Sequence, residues 1–391
     1  MPRVPSVLML SLLLAAPVAA QNRPGAGPVY GSALPAHVAS ADRARQQEMD
    51  GRASYEAGCA SCHGTDGRGA SRERVAFDTP VPDFTDCSFS SREPDADWVA
   101  VAHEGGPVRG FDPIMPAFGE AFTEAQLGLI IDYIRMFCPD ASWPRGELNL
   151  PRALVTEKAY PEDEAVLTSD VAAEGDGAVV NTIVYEKRFG ARSQFELKLP
   201  FGAAETRPSP GAESKWEAGL GDVAAGVKHT LWHSLASGSI VSLGGEVVLP
   251  TGDEDGGLGT GTFVFEPFLS FGQILPADGF AQVQALAELA ADDDKAGHEL
   301  QLRAVLGKTW TQGRFGRGWS PMLEAVAVRE LEEGGVDLDL VPQMQVTVNT
   351  RQHVMINLGV RVPVTDAGAR STRVLFYVLW DWFDGGFLDG W

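Results

Sequence analysis

The chain is short of positive charge, short of cysteine and, after its first twenty residues, without any long apolar run. Lysine and arginine total 31 against 53 aspartates and glutamates, a formal net charge of −22. That balance tells against nucleic acid as a partner, because its phosphates would be repelled. The four cysteines provide no second Cys/His pair at ligand spacing, which tells against a structural zinc site. No stretch beyond residue 20 approaches about 18 consecutive apolar residues, so no transmembrane helix is expected.

What is there is a folded composition, 44% hydrophobic and 21% charged over 391 residues, with room for two domains. The opening "MPRVPSVLMLSLLLAAPVAA" has a basic Arg3, an apolar run from Val7 to Ala16, and Val18-Ala19-Ala20 before Gln21. It reads as a secretory signal over residues 1–20, followed by a flexible segment over 21–42. The mature protein is therefore expected to be exported, to a bacterial periplasm or outer membrane.

Residues 56–69, "EAGCASCHGTDGRG", place Cys59 and Cys62 two apart with His63 directly after. In an exported protein this is a haem-attachment signature: each thiol can form a thioether to a haem vinyl group, and the adjacent imidazole can reach the iron. The alternative readings are a redox dithiol or half a metal site. A c-type haem needs a second axial ligand, usually Met or His. Met115, before Pro116 in "GFDPIMPAFGEAFTEAQLGLIIDYIRMFC", is the candidate, with a core methionine as the other reading and His103 as the rival ligand. His103 is expected to end a short helix, since Gly105-Gly106-Pro107 follow. Thr123-Glu124 should open a helix whose Leu127, Ile130, Ile131, Ile134 and Phe137 form one apolar stripe. Cys87 and Cys138 remain as an even pair in an oxidising compartment, which suggests a disulfide.

Residues 45–140 resemble a class I cytochrome c in the order helix, Cys-Ala-Ser-Cys-His-Gly, loop, "MPAF" and closing helix. The resemblance implies an all-α domain over 43–140 carrying one covalent haem c, with His63 and Met115 as axial ligands to its iron. With both axial positions filled, electron carriage is implied and not catalysis.

After a Pro-rich linker over 141–163, the pattern changes to period-two alternation. In "VDLDLVPQMQVTVN", Leu338, Leu340, Met344 and Val346 share one face while Asp337, Asp339, Gln343 and Gln345 share the other. Similar alternation runs through Gln194–Leu199, His298–Leu306 and His353–Arg361. It fits a soluble sandwich or an outer-membrane barrel, apolar outside and polar within. Long strands, tryptophans near strand ends (Trp216, Trp232, Trp310, Trp319, Trp380, Trp382, Trp391), and alternation of short turns with longer acidic loops favour the barrel. The count is about 12 antiparallel strands over 164–391, provided a weak first strand lies near 164–173. The long segment 202–216 is expected as a loop. The segments "GLGD", "LPTG" and "LGTG" in residues 219–261 resemble an outer-membrane family associated with meta-pathway phenol degradation, which also implies a barrel.

Two functions follow from this multidomain reading. Either the protein carries electrons between periplasmic electron-transfer proteins and a donor or acceptor at the outer membrane, or the barrel is a channel for a small solute with a tethered cytochrome. The haem domain is expected on the periplasmic side, too large to insert into a twelve-stranded barrel. Acidic loops at Asp253–Asp255 and Asp292–Asp294 could gather cations or simply be solvated; "DEDGG" lacks the rest of an EF-hand loop. His229 and His233 share a face of unassigned direction.

Overall fold

The computed structural model describes residues 41–172, 177–206, 214–254, 256–332 and 334–381, with side chains from Asp50 onward. The expected signal sequence over residues 1–20, nearly all of the segment 21–42, Asp255, Trp382 and Trp391 lie outside the described residues.

The N-terminal part is helical: α1 (Ala41–Gly58), α2 (Ala60–His63), α3 (Arg72–Val75), α4 (Cys87–Ser90), α5 (Asp95–Glu104) and α6 (Glu124–Arg135). Thr123 caps α6 in a reciprocal capping box with Gln126, satisfying two otherwise orphaned backbone donors. The helix buries Leu127, Ile130, Ile131 and Ile134 against Tyr55, Ala60, Phe84 and Val99, with Phe137 packed alongside. Where α1 crosses α6, a Cβ on Gly51 would lie 2.4 Å from the Leu129 carbonyl oxygen. Only glycine permits that approach.

From residue 164 the chain is one antiparallel sheet closed on itself. Its segments are β1 (Glu164–Ala172), β2 (Ala178–Phe189), β3 (Ser193–Thr206), β4 (Lys215–Leu220), β5 (Ala224–Ser234), β6 (Ser239–Val248), β7 (Val264–Leu275), β8 (Gly279–Ala290), β9 (Glu299–Lys308), β10 (Trp310–Thr311), β11 (Gly318–Glu330), β12 (Asp337–Thr347), β13 (Val354–Pro363) and β14 (Arg373–Asp381). β4 and β5 both pair with β3 and make one interrupted strand; β10 is a short extension beside β11. The ring closes through β14 on β1 and β9 on β11, so fourteen segments form a twelve-stranded barrel. The weak first strand is β1. The 202–216 loop is shorter than expected, because β3 and β4 continue pairing to Thr206 and Lys215. That hairpin end includes Gly202, Ala203 and Ala204, which carry no period-two pattern and are held by the backbone ladder.

Alternation sorts the side chains as membrane physics requires. Gln194, Glu196, Asp339, Gln343, Gln345 and Asn357 are buried in the lumen, while Phe195, Leu199, Leu340, Met344 and Leu358 face outward and exposed. In water such an apolar exterior would be an aggregation surface; around a closed barrel it is the lipid face. Phe189, Trp232 and Trp310 stand exposed toward the end where β1 begins, and Trp216 and Phe263 toward the other, as two aromatic girdles do.

The lumen is filled by the chain itself. Residues 148–163, read from sequence as connection only, rise from the mouth where β1 starts, turn near Glu157 and return. Leu150 and Ala153 pack on Phe280, Val305 and Met322; Leu148, Ala159 and Tyr160 pack on Ile240. The helical domain sits at this same mouth, held by Arg92 on Asp163, His353 Nε2 at 2.9 Å from Glu93, and Arg314 on Glu124.

Candidate functional site

The Cys59–His63 turn is rigidly seated. Cys59 N–H donates to the Tyr55 carbonyl at 2.8 Å and His63 N–H to the Cys59 carbonyl at 3.0 Å. The fully buried Tyr55 donates its hydroxyl to the Gly64 carbonyl at 2.7 Å, fixing the point where the chain leaves α2. Gly64 sits at φ 74°, a conformation that favours glycine. Both thiols are free and half-buried. The His63 ring stacks on Phe84 with centroids 4.8 Å apart, and its buried Nδ1 has no hydrogen-bond partner among the described residues.

Burial lowers the His63 pKa to about 4, so its imidazole is neutral near pH 7 and free to act as a ligand. Burial, with Cys62 adding to it, pushes the Cys59 thiol up to about 11, away from the thiolate a reactive dithiol needs. Two free thiols one turn apart, beside a neutral imidazole with an orphaned nitrogen, fit a haem held by two thioethers and by His63.

Met115 is half-buried on a segment laid across the end of α5. Gly106 N–H donates to the Met115 carbonyl at 3.0 Å, Phe118 N–H to the Ala102 carbonyl at 2.9 Å, and Gly119 N–H to the His103 carbonyl at 3.0 Å. A Cβ on Gly105, at φ 84°, would lie 2.9 Å from the Met115 carbonyl oxygen. His103 occupies the last turn of α5. Its Nδ1 lies 2.7 Å from Glu104, and its ring faces Phe315 of a barrel turn at 5.5 Å. The rival ligand is thus engaged at the boundary with the barrel. Cys87 and Cys138 form a disulfide, Cα atoms 5.3 Å apart, tying α4 to the chain leaving α6.

The lumenal segment is a second constellation. Arg152 Nη1 lies 2.5 Å from Glu164 and 2.8 Å from Glu186; Lys158 reaches Glu162 at 2.5 Å and Glu164 at 3.2 Å. Barrel side chains serve its backbone: Gln343 accepts from Leu154 N–H at 2.9 Å, Glu324 from Thr156 N–H at 2.6 Å and Gln194 from Glu162 N–H at 2.6 Å. Tyr377 donates to the Arg152 carbonyl at 2.7 Å. A cavity of about 140 Å³ remains beside Glu157, Glu246, Glu266 and Arg303. Ligand oxygens of Glu157, Glu196 and Glu246 lie within 4.8 Å of one another, and two ammonium groups already pair with them. Lys198 is 2.9 Å from Glu196 and 2.7 Å from Glu246, and Lys228 is 3.2 Å from Glu157.

Elsewhere the sequence candidates are paired locally. Glu254 binds Lys295 at 2.9 Å, and Asp253 accepts from the Gly256 N–H. His229 meets Ser193 at 2.8 Å, while His233 faces the Ser142 carbonyl at 3.3 Å. A bulge between Thr230 and Trp232 separates the two histidines.

Residues 46–134 match the family model described as "Cytochrome C oxidase, cbb3-type, subunit III". Residues 162–331 match "Putative MetA-pathway of phenol degradation". Each half resembles a known family. No curated protein matches the chain. Similar solved structures include the KdgM porin in complex with disordered oligogalacturonate (8% identity, 56% of this chain and 98% of that one, TM-score 0.39). The NanC porin (6%, 56% and 98%, TM-score 0.38) and the outer membrane phospholipase A from Escherichia coli (11%, 57% and 98%, TM-score 0.30) are also similar. The chain thus joins a cytochrome-type domain, which implies haem, to a twelve-stranded barrel with a lipid-facing exterior.

Proposed function

We propose that this protein is an outer-membrane c-type cytochrome that carries electrons, its barrel serving as anchor and its haem domain standing at the periplasmic mouth. One haem would be held covalently by Cys59 and Cys62, with His63 and Met115 as its axial ligands, and would supply one-electron exchange. The observation that carries the choice of carrier over solute channel is the lumen filled by residues 148–163. A solute path would require withdrawing Arg152 and Lys158 from buried carboxylates, which is strongly unfavourable. Both strand termini at the mouth holding the helical domain support a periplasmic position, since short turns belong to that side and long loops to the other. Periplasmic electron-transfer proteins are the matching partners. The filled barrel, with an apolar band about 25 Å tall, tells against a freely diffusing donor crossing it.

The test joins two measurements on detergent-purified and bilayer-reconstituted protein. Redox titration and visible spectra of wild type and Met115→Ala should show loss of the weak near-infrared sulfur-to-iron band and a fall in potential. Planar-bilayer recording should show no porin-like conductance. Open channels in wild type, with a haem that exchanges no electrons with protein donors, would establish the channel reading instead.

A further inference from the structure

The barrel turn between β10 and β11 reaches into the helical domain. Phe315 packs against the apolar cluster of Tyr55, Phe84, Val99 and α6, although it belongs to the barrel. Its ring lies 5.5 Å from His103, and the His103 ring in turn fills the space beside Gly119, where a Cβ would lie 2.5 Å from it. The Phe315 carbonyl accepts from Arg109 Nη1 at 2.7 Å, and Arg109 Nε donates to Asp97 at 2.7 Å. Arg109 is itself 94% buried, being 6% exposed, so moving the turn that carries its carbonyl acceptor leaves a buried donor without that partner. From Arg109 the path is short: Phe111 N–H donates to the Gly106 carbonyl, and Gly106 N–H donates to the Met115 carbonyl, both at 3.0 Å. Arg351 of the next turn lies 4.8 Å from the Phe111 ring.

The Met115 segment therefore has barrel contacts on two sides, through His103–Gly119 and through Arg109–Gly106. We propose that the turn 312–317 positions the segment bearing Met115, with Phe315 as the positioning residue, so that anchoring to the barrel sets how firmly the sixth ligand is held. This rests on Met115 being that ligand. Thioether sulfur is a weak donor to iron, so its hold depends on the backbone that presents it. A loosened segment would yield the iron's sixth position to an added ligand.

The experiment uses the full chain, with carbon monoxide as the probe of the ferrous protein. Wild type should bind it poorly. Phe315→Ala, with haem content and heat-modifiable migration retained, should bind it about 5- to 150-fold more readily, the usual range for coupling between two sites. Its near-infrared band should weaken and its potential fall. Phe315→Leu should restore most of the wild-type behaviour, and Leu235→Ala, in another turn at the same mouth, should change nothing. If Phe315→Ala fails to fold, Arg109→Lys decides, expected to shift carbon monoxide binding in the same direction by less. Variants indistinguishable from wild type, in a protein where Met115→Ala does lose the band, would overturn the positioning role and leave the ligation intact. An unaltered Met115→Ala spectrum would overturn both.

Discussion

The helical domain and the barrel bury opposite things. In the first, Leu127, Ile130, Ile131 and Ile134 turn inward to make the core; in the second, Gln194, Glu196, Asp339 and Gln345 turn inward while Phe195, Leu340, Met344 and Leu358 turn out. The residue types are shared, and the medium decides. Water outside the helices rewards apolar burial, whereas lipid outside the barrel removes that reward and requires every backbone group to be paired within the ring. The lumenal segment is where the two meet: Leu150, Ala153 and Tyr160 behave as core, while Arg152 and Lys158 are tied to carboxylates of the barrel wall.

That contrast is most severely strained at Arg152. Arg152→Ala leaves Glu186 and Glu164 buried with less compensation, which should cost about 3–5 kcal/mol. The loss should appear in urea unfolding of the barrel followed by gel migration, and bilayer conductance should rise, while the haem spectrum stays as it was. A conductance still at background, with a lowered unfolding midpoint, would show that the segment seals the lumen without that ion pair.

The helical domain's counterpart is a covalent tie. Cys87 and Cys138 are 51 residues apart in sequence, and opening a loop of that length should cost about 4 kcal/mol in the chain-entropy account. Replacing both by serine should lower the denaturation midpoint of the haem absorbance and leave the barrel's migration unchanged. A barrel midpoint that falls equally would mean the two regions unfold as one.

A smaller effect addresses the medium itself. Leu358, 55% exposed on β13, and Met136, 51% exposed after α6, present similar areas outward. Arginine at Leu358 should cost about 2–4 kcal/mol near the bilayer midplane, whereas arginine at Met136 should stay within about 0.5 kcal/mol. Equal costs in lipid-reconstituted protein would refute the assignment of the β13 exterior to lipid.

Much of this contrast was legible in the sequence because it is periodic. Alternation over Asp337–Thr347 and the stripe over Leu127–Ile134 each declare a face, and "TEAQ" declares a capped start. The alternating turns gave the strand count and placed both barrel ends at one mouth. The lumenal segment was not legible. Its prolines and mixed charges carry no period, and its partners Glu324, Gln343 and Tyr377 lie well over a hundred residues away. Phe315 was equally hidden, since one aromatic in a turn announces neither the domain nor the helix it meets. The contact of His103 with Phe315 also requires the barrel to be docked, which local sequence does not encode.

The mildest prediction asks whether the halves are energetically separate at all. Thr123 accepts from the Gln126 N–H at 3.3 Å, and Gln126 accepts from the Thr123 N–H at 2.9 Å. Thr123→Ala removes the first of these and should cost about 1 kcal/mol. The next residue, Glu124, is the one paired with Arg314 of the barrel, so fraying α6 at its start loosens a contact between the regions as well as a helix end. An exposed ion pair contributes about 0–1 kcal/mol, too little to carry the loss across. The haem domain's denaturation midpoint should therefore fall alone. If the barrel's midpoint falls with it, the linkage runs through the buried contacts, Phe315 and Arg109 together with Arg92 on Asp163 and His353 on Glu93, which make the two regions one cooperative unit.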